Sequence, residues 1–271
     1  MTMVRTPPPA LPVRDKRAPR ALSPMLTRLA EERATGVLVR EHGALHLAGG
    51  RVVHAESPLA PGLGVLLTAH GTLAAAAWQR AAARSPTPAH TAGLLLGSGV
   101  LPTGALELCH LDALYDAGYF ALAPSSTPGR FRYEPGPPPG PLPSVPVVAL
   151  ERETLRRRLL LHRLWPDPAA DSAPLTRADP AVPGRGPAAP VTARQRAVLD
   201  RVDGVRTAAD IARDLGRPAF HTLVDVRRLT AAGRIAPAAP APAAPAPPPR
   251  PVTTDPDIAL LKRLRDALEA L

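Results

Sequence analysis

The chain has 271 residues, 37 of them proline and 20 glycine, with a net charge of +10 and a single cysteine, Cys109. That length can hold a modest core and a small module, and one cysteine excludes an internal disulfide. No apolar run approaches the ~20 residues of a membrane span and no apolar leader opens the chain, so a cytoplasmic location with no membrane partner is expected.

The charge is uneven. Residues 1–20 carry +4, 147–165 carry +3 and 191–236 carry +4, while 21–146 sum to zero. This pattern favours an anionic partner such as nucleic acid. The competing explanation is composition. Lys16 and Lys262 are the only lysines, and the wealth of Arg, Ala, Pro and Gly matches a GC-rich genome.

Residues 1–21 read as a disordered Pro/Arg-rich tail. Ser23-Pro24 fits an N-cap with proline at the first helical position, and Leu26, Leu29 and Ala30 extend a helix to about Arg33. Three strands follow, 36–41, 44–48 and 51–56, separated by the hairpin signals His42-Gly43 and Gly49-Gly50. A two-residue turn at 49–50 sets Leu47 opposite Val52, Leu45 opposite His54 and His46 opposite Val53. In that register His42, His46 and His54 do not converge, so no metal site is expected, and His54 becomes a hydrogen-bonded core histidine.

Residues 66–73 then align with 94–101 at an offset of 28: Leu-Leu-Thr-Ala-His-Gly-Thr-Leu against Leu-Leu-Leu-Gly-Ser-Gly-Val-Leu. Each copy reads as helix, glycine cap, turn, helix. The four helices form a layer able to cover one face of the sheet, and the last runs from about Thr103 to Leu122. Arg130–Glu134 reads as a closing strand and 135–146 as a Pro-rich linker. Val147–Trp165 is a helix with Leu155 and Leu159 inside and Arg156, Arg157 and Arg158 outside. Residues 166–190 form a second linker.

Val191–Ala236 reads as three short helices, a module set between linkers. Residues 237–254 are a Pro/Ala spacer of polyproline type. In 255–271, Asp255 is a good N-cap with Pro256 behind it. Leu261, Leu264, Leu268 and Leu271 repeat at 3-4-3 spacing, giving an amphipathic helix suited to docking or to pairing between subunits. The expected fold class is therefore α+β: a small antiparallel sheet with helices over 22–165, a C-terminal three-helix module at 191–236, and Pro/Ala-rich linkers.

The motifs of catalysis are missing. There is no G-x-x-x-x-G-K-[ST], G-x-S-x-G, H-E-x-x-H or C-x-x-C. Gly97-Ser98-Gly99 follows a helix and runs into Pro102. Cys109 and His110 are adjacent on a helix and point ~100° apart. No enzyme activity and no cofactor are expected.

The stretch from Ser23 to Trp165 resembles the PATAN (PatA N-terminal-like) domain of bacterial signalling proteins. The resemblance rests on a helix, then Thr35-Gly36-Val37-Leu38-Val39, then Gly49-Gly50-Arg51-Val52-Val53-His54-Ala55. Arg130-Phe131-Arg132-Tyr133 and the Leu150–Trp165 helix stand where that family closes. It implies a regulatory domain that mediates protein contacts and has no active site. The departure is the helical repeat before the closing strand. That repeat is similar to the tandem helix pairs of type II secretion ATPases, some relatives of which bind a cyclic dinucleotide. Leu63-Gly64 fits, but Gly62 replaces an expected Arg and Ala92 an expected Gly, which leaves a packing layer. Val191–Ala236 resembles a helix-turn-helix or truncated winged helix, carried by Gln195–Leu199, Thr207–Leu215, Phe220–Leu229 and Ala231–Ile235.

On a helical wheel of the third helix, Ala219, Phe220, Leu223, Val224 and Val226 gather on one side, with His221 and Arg228 opposite and Arg217 extending that side. Those three are the candidates for a major groove. Arg234, Arg156, Arg157 and Arg158 would add phosphate contacts. Against this, Asp225 lies between His221 and Arg228, the helix start lacks Asn, Gln or Ser, and no second wing strand follows Ile235 because the chain enters a proline run. Two functions follow. One is a DNA-binding transcriptional regulator with a protein-interaction sensor domain. The other is a signalling adaptor that holds a receiver, kinase or small GTPase system through both domains without DNA.

Overall fold

A computed structural model describes residues 22–69, 71–85, 88–134, 142–178, 190–238 and 256–269. The chain divides into two units, Met1–Pro237 and Ala238–Leu271. Among the described residues the fold is α+β, with eleven helices, a five-stranded antiparallel sheet and a separate two-stranded one.

In chain order the first elements are α1 (Pro24–Glu31), β1 (Gly36–Arg40), β2 (Gly43–Ala48) and β3 (Arg51–Glu56). The Leu26 N–H donates to Ser23 Oγ at 3.3 Å, and Pro24 sits where its missing N–H has no helical partner. Gly49 and Gly50 both hold positive φ, 55° and 77°, as a tight hairpin turn between right-twisted strands requires. With β4 (Arg130–Tyr133) and β5 (Val145–Pro146) the sheet order is β4-β1-β2-β3-β5.

The register departs from the expected one. Leu47 pairs with Val52, but His46 pairs with His54 and Leu45 with Ala55, because a bulge makes Val53 an extra residue in β3. One inserted residue moves every later partner by one place. Leu38, Leu45, Leu47, Val52 and Ala55 nevertheless keep a common apolar face, packed with Leu26 and Leu29 of α1.

The repeat forms four helices, α2 (Leu63–Ala69), α3 (Ala75–Ala82), α4 (Pro88–Gly97) and α5 (Thr103–Ala121). Gly71 and Gly99, one repeat apart, both turn left-handed, with φ of 73° and 69°. Leu67 and Leu95, and Leu73 and Leu101, are buried at matching positions. These helices have their own core, and α5 is long enough to serve two: Leu106 belongs to the repeat, Leu114 and Ala121 to the sheet.

The last elements of the first unit are α6 (Val147–Leu164), α7 (Ala169–Ser172), β6 (Leu175–Arg177), α8 (Ala193–Leu199), α9 (Ala208–Leu215), α10 (Ala219–Ala231) and β7 (Ile235–Pro237). Two expectations are corrected here. The segment 166–190 is not only a linker, since it supplies α7 and β6, and β6 pairs antiparallel with β7 from Leu175↔Pro237 to Arg177↔Ile235. The strand partner of Ile235 thus comes from upstream rather than from the proline run. Nor do residues 191–236 stand alone. Leu161 of α6, Ala170 and Leu175 share one core with Val198, Ile211, Phe220, Leu223, Val226 and Leu229.

On α6 the buried face is Leu150, Thr154, Arg157 and Leu161. Leu159, expected inside, is 56% exposed, whereas Arg157, expected outside, is 9% exposed. The helix packs against both α5 and α10, and those two contacts decide which side is covered.

In the second unit α11 (Pro256–Glu269) exposes Leu261, Leu264 and Leu268. Asp255 and Leu271 lie outside the described residues, as do the tail 1–21 and most of both the 135–146 linker and the 237–254 spacer. Among the described residues no helix is long and apolar enough to cross a membrane.

Candidate functional site

The seven candidate contacts to nucleic acid surround α10. Two capping boxes start the helices before it: Thr192 with Gln195 at α8 and Thr207 with Asp210 at α9. Gly216 ends α9 in the left-handed conformation, φ 59°, close enough to α2 that a Cβ there would lie 1.8 Å from the Ala69 Cβ.

No side chain of its own caps the start of α10. The cap comes from α5 instead. The Ala219 N–H donates to Asp116 Oδ2 at 2.5 Å and the Phe220 N–H to Asp116 Oδ1 at 2.8 Å. A carboxylate at a helix N-terminus meets both free N–H groups and the positive end of the helix dipole. Asp116 is fully buried, and burial pushes its carboxyl up to about 6 against the pull of these N–H groups and of Arg157.

Arg157 lies 3.7 Å from Asp116 Oδ1, its guanidinium stacks 4.6 Å from the Phe220 ring centre, and it donates to Tyr115 O at 3.1 Å and Glu153 Oε1 at 2.8 Å. It joins α6, α5 and α10 and has no surface left for a phosphate. Arg158 donates to Leu122 O at 2.5 Å and is half-buried. Arg156 is exposed and pairs with Glu153 through two contacts of 2.7 Å. That Arg156 pair, together with Arg157, holds the Glu153 carboxyl down to about 2.

In the turn before α10, Arg217 donates to Asp225 Oδ2 at 2.7 Å, and Arg194 reaches the same oxygen at 3.5 Å. Asp225, expected between His221 and Arg228, instead holds Arg217. Arg234 is half-buried, with its Nε enclosed and without a hydrogen bond. Thr222 to Arg227 are buried without interruption, since α6, α7, α8 and α9 all pack on this helix. His221 and Arg228 remain exposed, with Ala231 and Ala232 beyond them.

The interactions that seat α10 were missed in the sequence. Asp116 sits among Ala113, Leu114 and Ala117, and a carboxylate in an apolar run was the available signal. Arg227 was not singled out either. It grips Asp171 through two contacts, 2.8 and 2.5 Å, and also donates to the carbonyls of Leu161 and Trp165. Nothing in 166–190 marks Asp171 as its partner.

Elsewhere, His110 turns its Nε2 to Pro143 O at 3.1 Å, and Cys109 is half-buried, its thiol raised by that burial. Gly64 on α2 gives room to Trp78, whose ring lies 2.4 Å from where a Cβ would stand. No protein-family model, curated protein or solved structure matches the chain.

Proposed function

We propose that this chain is a non-enzymatic regulatory protein of PATAN type that works by holding a protein partner, with a winged-helix-like C-terminal part that is a docking element rather than a reader of DNA. The observation that supports this reading is the seat of α10. A helix that enters a major groove must offer three or four side chains along one free face. α10 offers His221, Arg228 and two alanines, while Arg217 is bound to Asp225 and Arg157 lies under the helix. Part of the basic charge is held inside the protein: Arg157, Arg217 and Arg227 all bind buried or half-buried carboxylates.

The test is selection of a random duplex library on the full-length protein at about physiological salt, where non-specific binding by a basic chain is weak. The expected result is no enriched motif, with only salt-sensitive binding at low ionic strength. An enriched motif whose binding is lost in Arg228→Ala would overturn the docking reading and restore the transcriptional one.

A further inference from the structure

The bulge in β3 produces a side-chain cluster that the docking reading does not use. Because Val53 is extra, His54 stands beside His46 instead of Leu45. The two imidazole rings are 5.2 Å apart, His46 Nε2 lies 3.1 Å from Glu56 Oε1, and one ligand atom from each of His46, His54 and Glu56 falls within 4.8 Å of the others. All three come from one hairpin, and bulges recur where a strand must re-aim a side chain.

His54 is the unusual member. It is half-buried, and among the described residues nothing hydrogen-bonds to its ring, contrary to the hydrogen-bonded histidine expected there. A cavity of about 240 Å³ reaches His54 and Glu56 and is walled by Gly64, Trp78, Ala113 and Ala117.

We propose that His46, His54 and Glu56 form a binding site for a divalent transition-metal ion of the zinc type, open toward the cavity beside Trp78. Two imidazoles and one carboxylate are the donor set of an open zinc site, in which a further position stays free for water or another ligand. Magnesium and calcium, which prefer all-oxygen shells, do not suit it. Zinc bonds of ~2.1 Å place tetrahedral ligand atoms roughly 3.4 Å apart, so the cluster must contract by about an ångström. Glu56, 60% exposed, already has its Oε1 3.1 Å from His46 Nε2, so the contraction lies in the distances to His54. The ordinary alternative is a His46–Glu56 ion pair, which gives His54 no part.

The experiment is a calorimetric titration of the chelator-treated full-length protein with Zn²⁺, repeated with Co²⁺ to read the coordination number from its visible absorption. The expected result is one ion per chain, with His54→Ala and Glu56→Gln each weakening binding on the order of 100-fold, at or beyond what the loss of a supporting group costs. His42→Ala should bind as the parent does. Zn²⁺ should raise the thermal midpoint of the parent and not that of the variants. Glu56→Gln guards against misfolding as an explanation, because that exposed side chain belongs to no core; metal-free melting checks it. The site is refuted if the parent takes up no ion, or if both variants bind within a few-fold of it. Neither outcome bears on the duplex selection.

Discussion

Asp116→Ala probes the joint between the sheet domain and α10. The carboxylate is fully buried, accepts the Ala219 and Phe220 N–H groups, and lies 3.7 Å from the Arg157 guanidinium. Burial nevertheless dominates: a rise from 3.8 to about 6 corresponds to ~3 kcal/mol against the charged form. That figure is already net of the attraction of the two N–H groups and of Arg157. The substitution leaves both N–H groups buried without an acceptor, ~2 kcal/mol each, while Arg157 keeps Glu153 as a counter-charge. The variant should be about 2–4 kcal/mol less stable at pH 7. The pH dependence has a definite sign. A carboxyl whose folded pKa lies above its unfolded value contributes stability that is complete below the unfolded value, 3.8, and is lost as pH rises through about 6. The variant lacks this contribution, so the substitution should cost more at about pH 4.5 than at pH 7. Urea unfolding followed by far-UV circular dichroism and tryptophan fluorescence measures both. A cost below about 1 kcal/mol at pH 7, or one that shrinks on acidification, would refute the reasoning.

Arg227→Met should cost about 3–5 kcal/mol in the same assay, because it strands the partly buried Asp171 and removes the donor to two carbonyls; a loss under about 1 kcal/mol would mean Asp171 is well solvated without it. Gly216→Ala combines a left-handed backbone, ~1–2 kcal/mol, with a Cβ 1.8 Å from that of Ala69. Adding Ala69→Gly should recover the steric part and leave the backbone part, and no recovery in the double variant would place the strain elsewhere. Arg156→Ala should change stability by less than about 0.5 kcal/mol despite its two contacts with Glu153, since an exposed pair is screened by water.

Much of this protein is carried by local sequence. Ser23-Pro24 starts α1, Gly49-Gly50 turns the hairpin, and the 28-residue offset places Gly71 and Gly99 in the same backbone conformation. Each of these needs only a few neighbouring residues to act, so it can be read from them. The apolar face of the sheet is legible for a similar reason: alternation puts Leu45 and Leu47 on one side whatever lies across the strand. What depends on distant surfaces is not legible. The Val53 bulge sets His54 beside His46, and no residue at 53 announces it. Arg157 turns inward because α5 brings Asp116 and α10 brings Phe220 to the same side of α6. Three apolar and acidic residues in a Pro-rich stretch, Ala170, Asp171 and Leu175, complete the C-terminal core, and average composition hides them. Local propensity chose where helices and turns begin and end. The meeting of α5, α6 and α10 decided which arginines are buried and left α10 with only His221 and Arg228 as exposed polar side chains, since a charge settles wherever its carboxylate and its packing partners converge.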